Sequence, residues 1–272
     1  MNSQSKYGAI ERELLTAQAE VRAIAPFSSR DPAFDCGAAY EVAKGILDAR
    51  MRRGERPIGR KVGFTNRNIW NQYGVSTPIW AHIYDSTVRF APGNRSTLQL
   101  ARFISPRIEP EIAFGFAKAP SEKMNEAELL GCIEWIAHTF EIVDSVFPGW
   151  KFTAADTIAA FGLHGALVVG EKIPVAGKSG LVEKLRSFRI ALSRNGVVQD
   201  RGSGANVFGS PLLALRHFLA LLATQPGFAP LAPGEIVTTG TLTAALPVMA
   251  GETWSTAFEG IEVAELELRF DA

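Results

Sequence analysis

Residues 107–114 read Arg107-Ile108-Glu109-Pro110-Glu111-Ile112-Ala113-Phe114, with two carboxylates at i and i+2 inside a run that otherwise has the pattern of a strand. Side chains alternate along a strand, so Glu109 and Glu111 leave the same face, roughly 7 Å apart. Ile112, Phe114 and Phe116 fall on the opposite face, which reads as core. Two like charges side by side repel, and partial burial raises the cost. A hard divalent cation taking oxygen ligands is the simplest physical reason to keep such a pair. The competing reading is a solvated face, or an edge strand guarded by charge with Pro110 interrupting its ladder.

On either side of this strand the pattern alternates between short strands and a few helices. Before it, 58–64, 79–85 and 98–104 read as strands, and Thr65 or Asn66 caps a short helix containing Trp70. After it, Asn125 with Glu128 three residues on opens an amphipathic helix over Leu129, Leu130, Ile133 and Ile136. Residues 140–143 and 166–169 read as strands, and Thr153 caps a helix through Ala160 between them. Asn195-Gly196 turns 188–193 back on 197–200 as a hairpin. Ser210-Pro211 opens a helix through Ala223, and strands at 236–239, 253–258 and 261–270 close the chain. At the other end, 7–23 and 36–53 have helical periodicity and are joined by a Pro- and Ser-bearing loop at 25–32. The expected fold class is α+β: a small helical N-terminal part over 1–55, then a rolled, mostly antiparallel sheet over 56–272.

The 272 residues are 47% hydrophobic and 21% charged, as a globular protein with a sizeable core requires. Lys plus Arg (28) balances Asp plus Glu (28), so no global field draws the chain to nucleic acid or to a membrane surface. The start, MNSQSKYGAIERELL, lacks the basic segment and apolar run of a signal peptide. No apolar stretch approaches a membrane span, the longest being interrupted by His217 or by Gly. Cys36 and Cys132 follow no metal or redox spacing and read as buried free thiols of a reducing compartment. A cytoplasmic protein is expected, with neither nucleic acid nor membrane as partner.

Several further residues have chemistry to offer. Glu141 is a carboxylate inside the apolar run Phe140-Glu141-Ile142-Val143, either an outward-facing strand residue or a third metal ligand. Lys61 interrupts an apolar strand between Gly59 and Gly63; such a lysine binds an anion, transfers a proton or simply points to water. Asp85 ends a strand, where aspartate is usually a turn former. Thr238-Thr239-Gly240-Thr241 follows a strand, and its hydroxyls and amides suit a carboxylate or enolate oxygen, or form a plain turn. The Gly-rich 202–209 segment lacks both the dinucleotide spacing and a Walker lysine, which rejects nucleotide binding. There is no G-x-S-x-G elbow and no H-E-x-x-H, and the four histidines have no i,i+4 pair for zinc. His164 opens an apolar strand.

Taken together, GRKVGF (59–64), GVSTPIWAHIYD (74–85), RIEPEIAF (107–114), FEIVDS (140–145), WKFTAADTIA (150–159), GSGANVFGSP (202–211) and GEIVTTGTLTAALPV (234–248) resemble the fumarylacetoacetase-like superfamily. The nearest branch is that of the 2-hydroxypentadienoate (2-keto-4-pentenoate) hydratases and 4-oxalocrotonate decarboxylases. The resemblance spans about 56–270, and the helical N-terminus fits the usual extra part. It implies a mixed β-sandwich or roll with a Mg²⁺ or Mn²⁺ at its mouth, held by Glu109, Glu111 and Glu141. It implies Lys61 and Asp85 as proton-transfer residues, and a homo-oligomer. Phe147 and Trp150, beside Pro148-Gly149, look exposed and suited to a subunit contact. One departure is Phe161-Gly162-Leu163-His164, where hydratases of the branch often carry small polar residues.

The chemistry implied is that of a 2-hydroxy-2,4-dienoate or 2-oxo-alkenoate from aromatic-compound breakdown. Its carboxylate and 2-oxygen form a bidentate pair for a hard cation, which stabilises the enolate. Lys61 would neutralise the substrate carboxylate or protonate the dienol, Asp85 would move a proton or orient water, and Thr239, Gly240 and Thr241 would hold the carboxylate end. His164 is expected either to face the substrate tail or to hydrogen-bond backbone within the core. Hydration follows if water adds at the far alkene carbon, and decarboxylation follows if the same electron sink serves a leaving carboxylate. A C–C hydrolase of acylpyruvates is an alternative, disfavoured because the chain has no adjacent His-Glu pair. A non-catalytic oxo-acid binder is another.

Overall fold

The computed structural model describes residues 6–67, 70–73 and 75–272. Its helices are α1 (Gly8–Ala19), α2 (Phe27–Arg30), α3 (Cys36–Arg52), α4 (Trp70–Tyr73), α5 (Glu126–Leu130), α6 (Ala154–Ala159), α7 (Leu181–Ser187) and α8 (Pro211–Ala223). Its strands are β1 (Pro57–Gly63), β2 (Ile79–Tyr84), β3 (Val88–Phe90), β4 (Arg95–Gln99), β5 (Pro106–Phe116), β6 (Ile133–Asp144) and β7 (His164–Val169). They continue as β8 (Ile173–Pro174), β9 (Arg189–Arg194), β10 (Val197–Ser203), β11 (Ile236–Thr238), β12 (Leu246–Pro247), β13 (Thr253–Glu259) and β14 (Glu267–Asp271). The fold is mixed α+β.

Two sheets organise these strands. The larger runs β2-β1-β11-β5-β6-β7-β3, with β12 beside β5 and β8 beside β6; the smaller runs β10-β9-β13-β14-β4. Pairing is antiparallel except for β1–β11, β3–β7 and β4–β14. The long β5–β6 pair is the spine, in register from Pro106↔Asp144 to Phe116↔Ile133 with one irregularity at its far end. On its outer face Ile112, Phe114, Phe116 and Ile136 pack against α8 residues Leu212, Leu215 and Phe218. Gly59 lets β1 and β11 run parallel in close contact, because a Cβ there would sit 2.0 Å from the Ile236 carbonyl oxygen. Asn195 (φ 50°) and Gly196 (φ 78°) form the expected β9–β10 turn.

The N-terminal helices are built on the β5–β6 sheet through α6. Leu14, Val42 and Ile46 share a core with Ile158, Phe161, Val143 and Phe147. Asp156, in the capping box of Thr153, also accepts the Ser28 amide at 3.0 Å, so one carboxylate serves both the α6 cap and the N-terminal part. Phe147 is 1% exposed inside this core, so it offers no subunit surface, contrary to the expectation from its Pro-Gly neighbourhood.

Three segments differ from the pattern reading. The amphipathic run after Asn125 breaks: α5 stops at Leu130, and Ile133 and Ile136 already belong to β6. The three-residue spacing of Ile133 and Ile136 reads as helical, but the register shift between Gly115 and Phe116 sets both on one face of the strand, opposite Phe116 and Phe114. The expected strand at 98–104 is β4 followed by a 3-10 turn, Leu100–Arg102, because only Arg95–Gln99 finds a partner, in β14. The cap of the Trp70 helix falls next to residues 68–69, outside the described residues. By length and composition Gly204–Ala223 could cross a membrane, unlike the sequence expectation. Its helical part α8 is capped by Ser210 and buries Leu212, Leu215, Phe218 and Leu219 against the sheet.

Candidate metal centre and substrate cavity

Glu109 and Glu141 stand directly opposite one another in the β5–β6 ladder, and Glu111 lies one same-face step along. Ligand oxygens of the three carboxylates lie within 4.8 Å of one another. Pro110 does not interrupt this strand. Its carbonyl accepts the Leu242 amide at 2.9 Å, so its missing N–H faces the irregular 242 segment rather than β6, and no ladder bond is lost. Glu111 and Glu141 are fully buried, whereas Glu109 is partly exposed where it borders a cavity.

Such a cluster is unfavourable without a cation. Burial raises the Glu109 carboxyl to about 7, with Lys61 opposing and Glu141 adding to the shift. Burial, with the charges of Glu141 and Glu109, raises Glu111 well above its ordinary value. Burial also opposes ionisation of Glu141, but Lys61 and the His164 hydrogen bond outweigh it and hold this carboxyl below its ordinary value. Glu111 Oε1 has no hydrogen-bond partner, and Glu141 Oε2 makes only an ion pair with Lys61, among the described residues. A hard divalent ion satisfies these oxygens and removes the repulsion, so the residues fit the metal that the sequence pattern implies.

Lys61 comes from β1 with its Nζ 3.0 Å from Glu141 Oε2 and 3.0 Å from the Gly162 carbonyl, which accepts its hydrogen bond. Burial disfavours its charge, yet Glu141, Glu109 and Glu111 together raise its pKa, so the ammonium persists. The 3-10 turn Phe161–Leu163 exists to present that carbonyl. Gly162 takes φ 61° there, and any Cβ would meet Lys61 Cδ at 2.9 Å.

The remaining expected residues divide. Gly240 donates its amide to Glu111 Oε2 at 2.8 Å and lines the cavity with Thr241. Thr239 instead turns into the sheet and donates to the Ile112 carbonyl at 3.1 Å. His164 lies behind the triad and not in the cavity wall: its Nδ1 is 2.8 Å from Glu141 Oε1 and its Nε2 is 2.9 Å from Thr87 Oγ1. The bulge between Ile142 and Val143 sets it opposite Val143 on the same face as Glu141, which explains the difference from the expected tail contact. Asp85 also stands apart, at the end of β2. Arg56 gives it a backbone hydrogen bond at 3.0 Å and a guanidinium bond at 2.8 Å, and these hold its carboxyl below its ordinary value. Ile79, at the other end of β2, is the residue of that strand that lines the cavity.

The cavity has a volume of about 440 Å³, with Lys61, Glu109 and Gly240 at its head. Apolar walls come from Phe64, Ile79, Val143, Trp150, Phe152 and Leu163. Sequence reasoning missed Arg107, Asp200, Arg201 and Asn206, which also line it. Alternation along β5 carried the signal for Arg107, which shares the face of Glu109. The Gly-rich segment tested for nucleotide binding supplies Asn206, whose side chain donates to the Leu242 carbonyl at 2.8 Å.

Known proteins resemble this chain in sequence and fold. The family model for the C-terminal part of fumarylacetoacetate hydrolase matches residues 76–269. The chain is 30% identical to the 2-keto-4-pentenoate hydratase of Burkholderia vietnamiensis, over 96% of this chain and 97% of that one. It is 32% identical to a 4-oxalocrotonate decarboxylase of Pseudomonas, covering 83% and 84%. In fold it is similar to the 4-oxalocrotonate decarboxylase of Pseudomonas putida G7 complexed with magnesium and adipate, with a TM-score of 0.89, 24% identity and 99% of each chain covered. A triad of facing strand glutamates on this frame, matched over most of its length, places the chain in the fumarylacetoacetate hydrolase C-terminal family.

Proposed function

We propose that the protein is a divalent-metal-dependent hydratase of a 2-hydroxy-2,4-dienoate, or its 2-oxo-alkenoate tautomer, in aromatic-compound breakdown. One observation carries the reading: three carboxylates converge within 4.8 Å beside the Lys61 ammonium at the head of an apolar-walled cavity. Relatives named as hydratases of such compounds, similar over nearly the whole chain, support it.

Glu109, Glu111 and Glu141 would hold Mg²⁺ or Mn²⁺, the hard ions that suit an all-carboxylate set. When bound, the ion supplies positive charge next to the 2-oxygen of a 2-oxo acid and so favours its enolate form. Lys61, kept charged by the glutamates and fixed by the Gly162 carbonyl, neutralises the substrate carboxylate or delivers a proton to the dienol. Gly240 spends its amide on Glu111, so this loop serves the acidic triad first and the substrate through Thr241. The apolar walls exclude bulk water from the hydrocarbon part and strengthen each charged contact at the head. The same reading makes the protein a cytoplasmic homo-oligomer whose partner is the small molecule alone.

Decarboxylation is the second reading, and one feature favours it. Besides Glu109, the carboxylate lining the cavity among the described residues is Asp200, whose two oxygens accept the Arg201 and Ala244 amides. Addition of water needs a base near the far alkene carbon, whereas loss of CO₂ does not. The deciding assay offers 2-hydroxypenta-2,4-dienoate, 4-oxalocrotonate and an acylpyruvate with Mg²⁺ or Mn²⁺. Metal-dependent loss of dienoate absorbance without CO₂ supports the hydratase, and CO₂ from the oxalocrotonate supports the decarboxylase. Acylpyruvate cleavage, or no metal-dependent turnover of any of the three, overturns both.

A further inference from the structure

We propose that Arg50 of α3 is a positioning residue for the acidic triad: it clamps the two turns that hold Lys61 and His164, and so fixes Glu141 from both sides. This rests on the function proposed above in one respect, that Glu141 is a metal ligand.

Arg50 ends the buried stripe Ala39, Val42, Ile46, Arg50 of α3, where helical spacing aims it inward with the apolar residues. It is 6% exposed. Its terminal nitrogens donate to Glu55 Oε2 at 3.0 Å and to Gln18 Oε1 at 2.6 Å. The Gln18 bond is enough to tie α1 to α3; the rest of the guanidinium leads to the site. It lies 4.6 Å from the centre of the Tyr84 ring and 5.0 Å from that of Phe161. Phe161 opens the 3-10 turn whose next residue, Gly162, gives its carbonyl to Lys61 Nζ at 3.0 Å. Tyr84 opens the turn between β2 and β3, and its carbonyl accepts the Thr87 amide at 2.9 Å and the Thr87 hydroxyl at 3.0 Å. Glu55 holds the same turn by accepting a hydrogen bond from Ser86 Oγ. Thr87 Oγ1 in turn lies 2.9 Å from His164 Nε2. Lys61 meets Glu141 Oε2 at 3.0 Å and His164 meets Oε1 at 2.8 Å. One guanidinium therefore stands behind both partners of one carboxylate. A flat, forked cation suits this place and a lysine does not, because two rings and two acceptors are met in fixed directions.

The probe is Mn²⁺ alone, its Kd measured by calorimetry on the full chain, beside the melting temperature of each variant. Arg50→Met should weaken Mn²⁺ binding by about tenfold, the lower end of the range for groups that orient a metal ligand through another residue. Arg50→Lys keeps the charge without the fork and should fall between, which keeps the test open if Arg50→Met does not fold. Val42→Ala removes packing from the same buried stripe; it should lower the melting temperature and leave the Kd unchanged. In a His164→Ala background one of the two supports is already gone, so Arg50→Met should weaken binding by a smaller factor than in the unaltered protein. An unchanged Kd in the Arg50 variants overturns the positioning role and leaves the metal site standing. So does a Kd that follows melting temperature alike in Val42→Ala and the Arg50 variants, or full additivity with His164→Ala. An unaltered protein that binds no Mn²⁺ overturns the metal site and this inference with it.

Discussion

Glu109 is the group in the triad whose protonation is set within the physiological range. Burial raises it to about 7 from an ordinary 4.5, so in the metal-free protein it carries a proton below that pH. A cation must displace this proton, together with that on Glu111, whose carboxyl burial and the neighbouring glutamates also raise. Apparent metal affinity should therefore fall as pH drops below about 7, by up to about tenfold per unit for each proton displaced. Calorimetry in buffers of different ionisation enthalpy should show protons released on binding at pH 6; affinity independent of pH from 6 to 8 would contradict the raised values. The same shift has a sign for stability. Between 4.5 and about 7 the folded metal-free chain binds more protons at Glu109 than the unfolded chain, so its stability falls as pH rises through that window. His164 tests the triad from behind. Its Nδ1 fixes Glu141 Oε1 while Thr87 fixes its other nitrogen, the arrangement by which an outer residue orients a ligand. His164→Ala should weaken Mn²⁺ binding by about ten- to a hundredfold. His164→Asn, which returns an N–H near the Nδ1 position, should restore part of it. Unchanged Mn²⁺ affinity in His164→Ala would leave the histidine a packing residue.

At the level of the elements, the site depends on the turn that follows β11. Gly240 has φ 94°, and a Cβ there would lie 1.9 Å from Thr65 Oγ1, so no side chain fits while its amide still reaches Glu111. Gly240→Ala should cost about 1–3 kcal/mol of stability and weaken metal binding as well. Thermal melts with and without Mn²⁺ give both quantities, and a variant with unaltered melting and affinity would refute the role of this turn. The strands carrying the triad were legible because Glu109 and Glu111 obey a period of two among large apolar residues, and Glu141 repeats the pattern in β6. The end of α5 was not legible, because Ile133 and Ile136 have helical spacing, and only the register shift between Gly115 and Phe116 brings both to one face of the strand. The cavity role of Asp85 was misplaced for a related reason. Sequence identifies β2 but not which of its ends meets the cavity, and Ile79 does. His164 was correctly placed at the start of β7, but the bulge that aims it at Glu141 has no sequence signature.

On the scale of the molecule, the cavity draws its lining from both sheets and the segments between them, with its acidic head on the central strands of the larger sheet. Pairing across separate segments builds this site: Lys61, Glu109, Glu141 and Gly240 are distant in sequence and meet only through the order β1-β11-β5-β6. The sequence motifs therefore name the groups, and the strand order makes them a site. The surface still exposes Phe90, Val197, Val198 and Met249, with the two valines on the edge strand β10. Burying such groups in a subunit contact matches the proposed homo-oligomer better than Phe147 does. Light scattering at micromolar concentration should give a mass that is a multiple of 29.4 kDa, and a monomer would contradict assembly without touching the metal site.

The claim on which the rest depends is that Glu109, Glu111 and Glu141 hold one divalent ion. Anomalous diffraction from crystals grown with Mn²⁺ locates such an ion without reference to activity. The account predicts a single strong peak among the three carboxylates, about 2.0–2.6 Å from an oxygen of each. Carboxylates left unliganded in the presence of millimolar Mn²⁺, or a peak bound elsewhere with the triad empty, would contradict it.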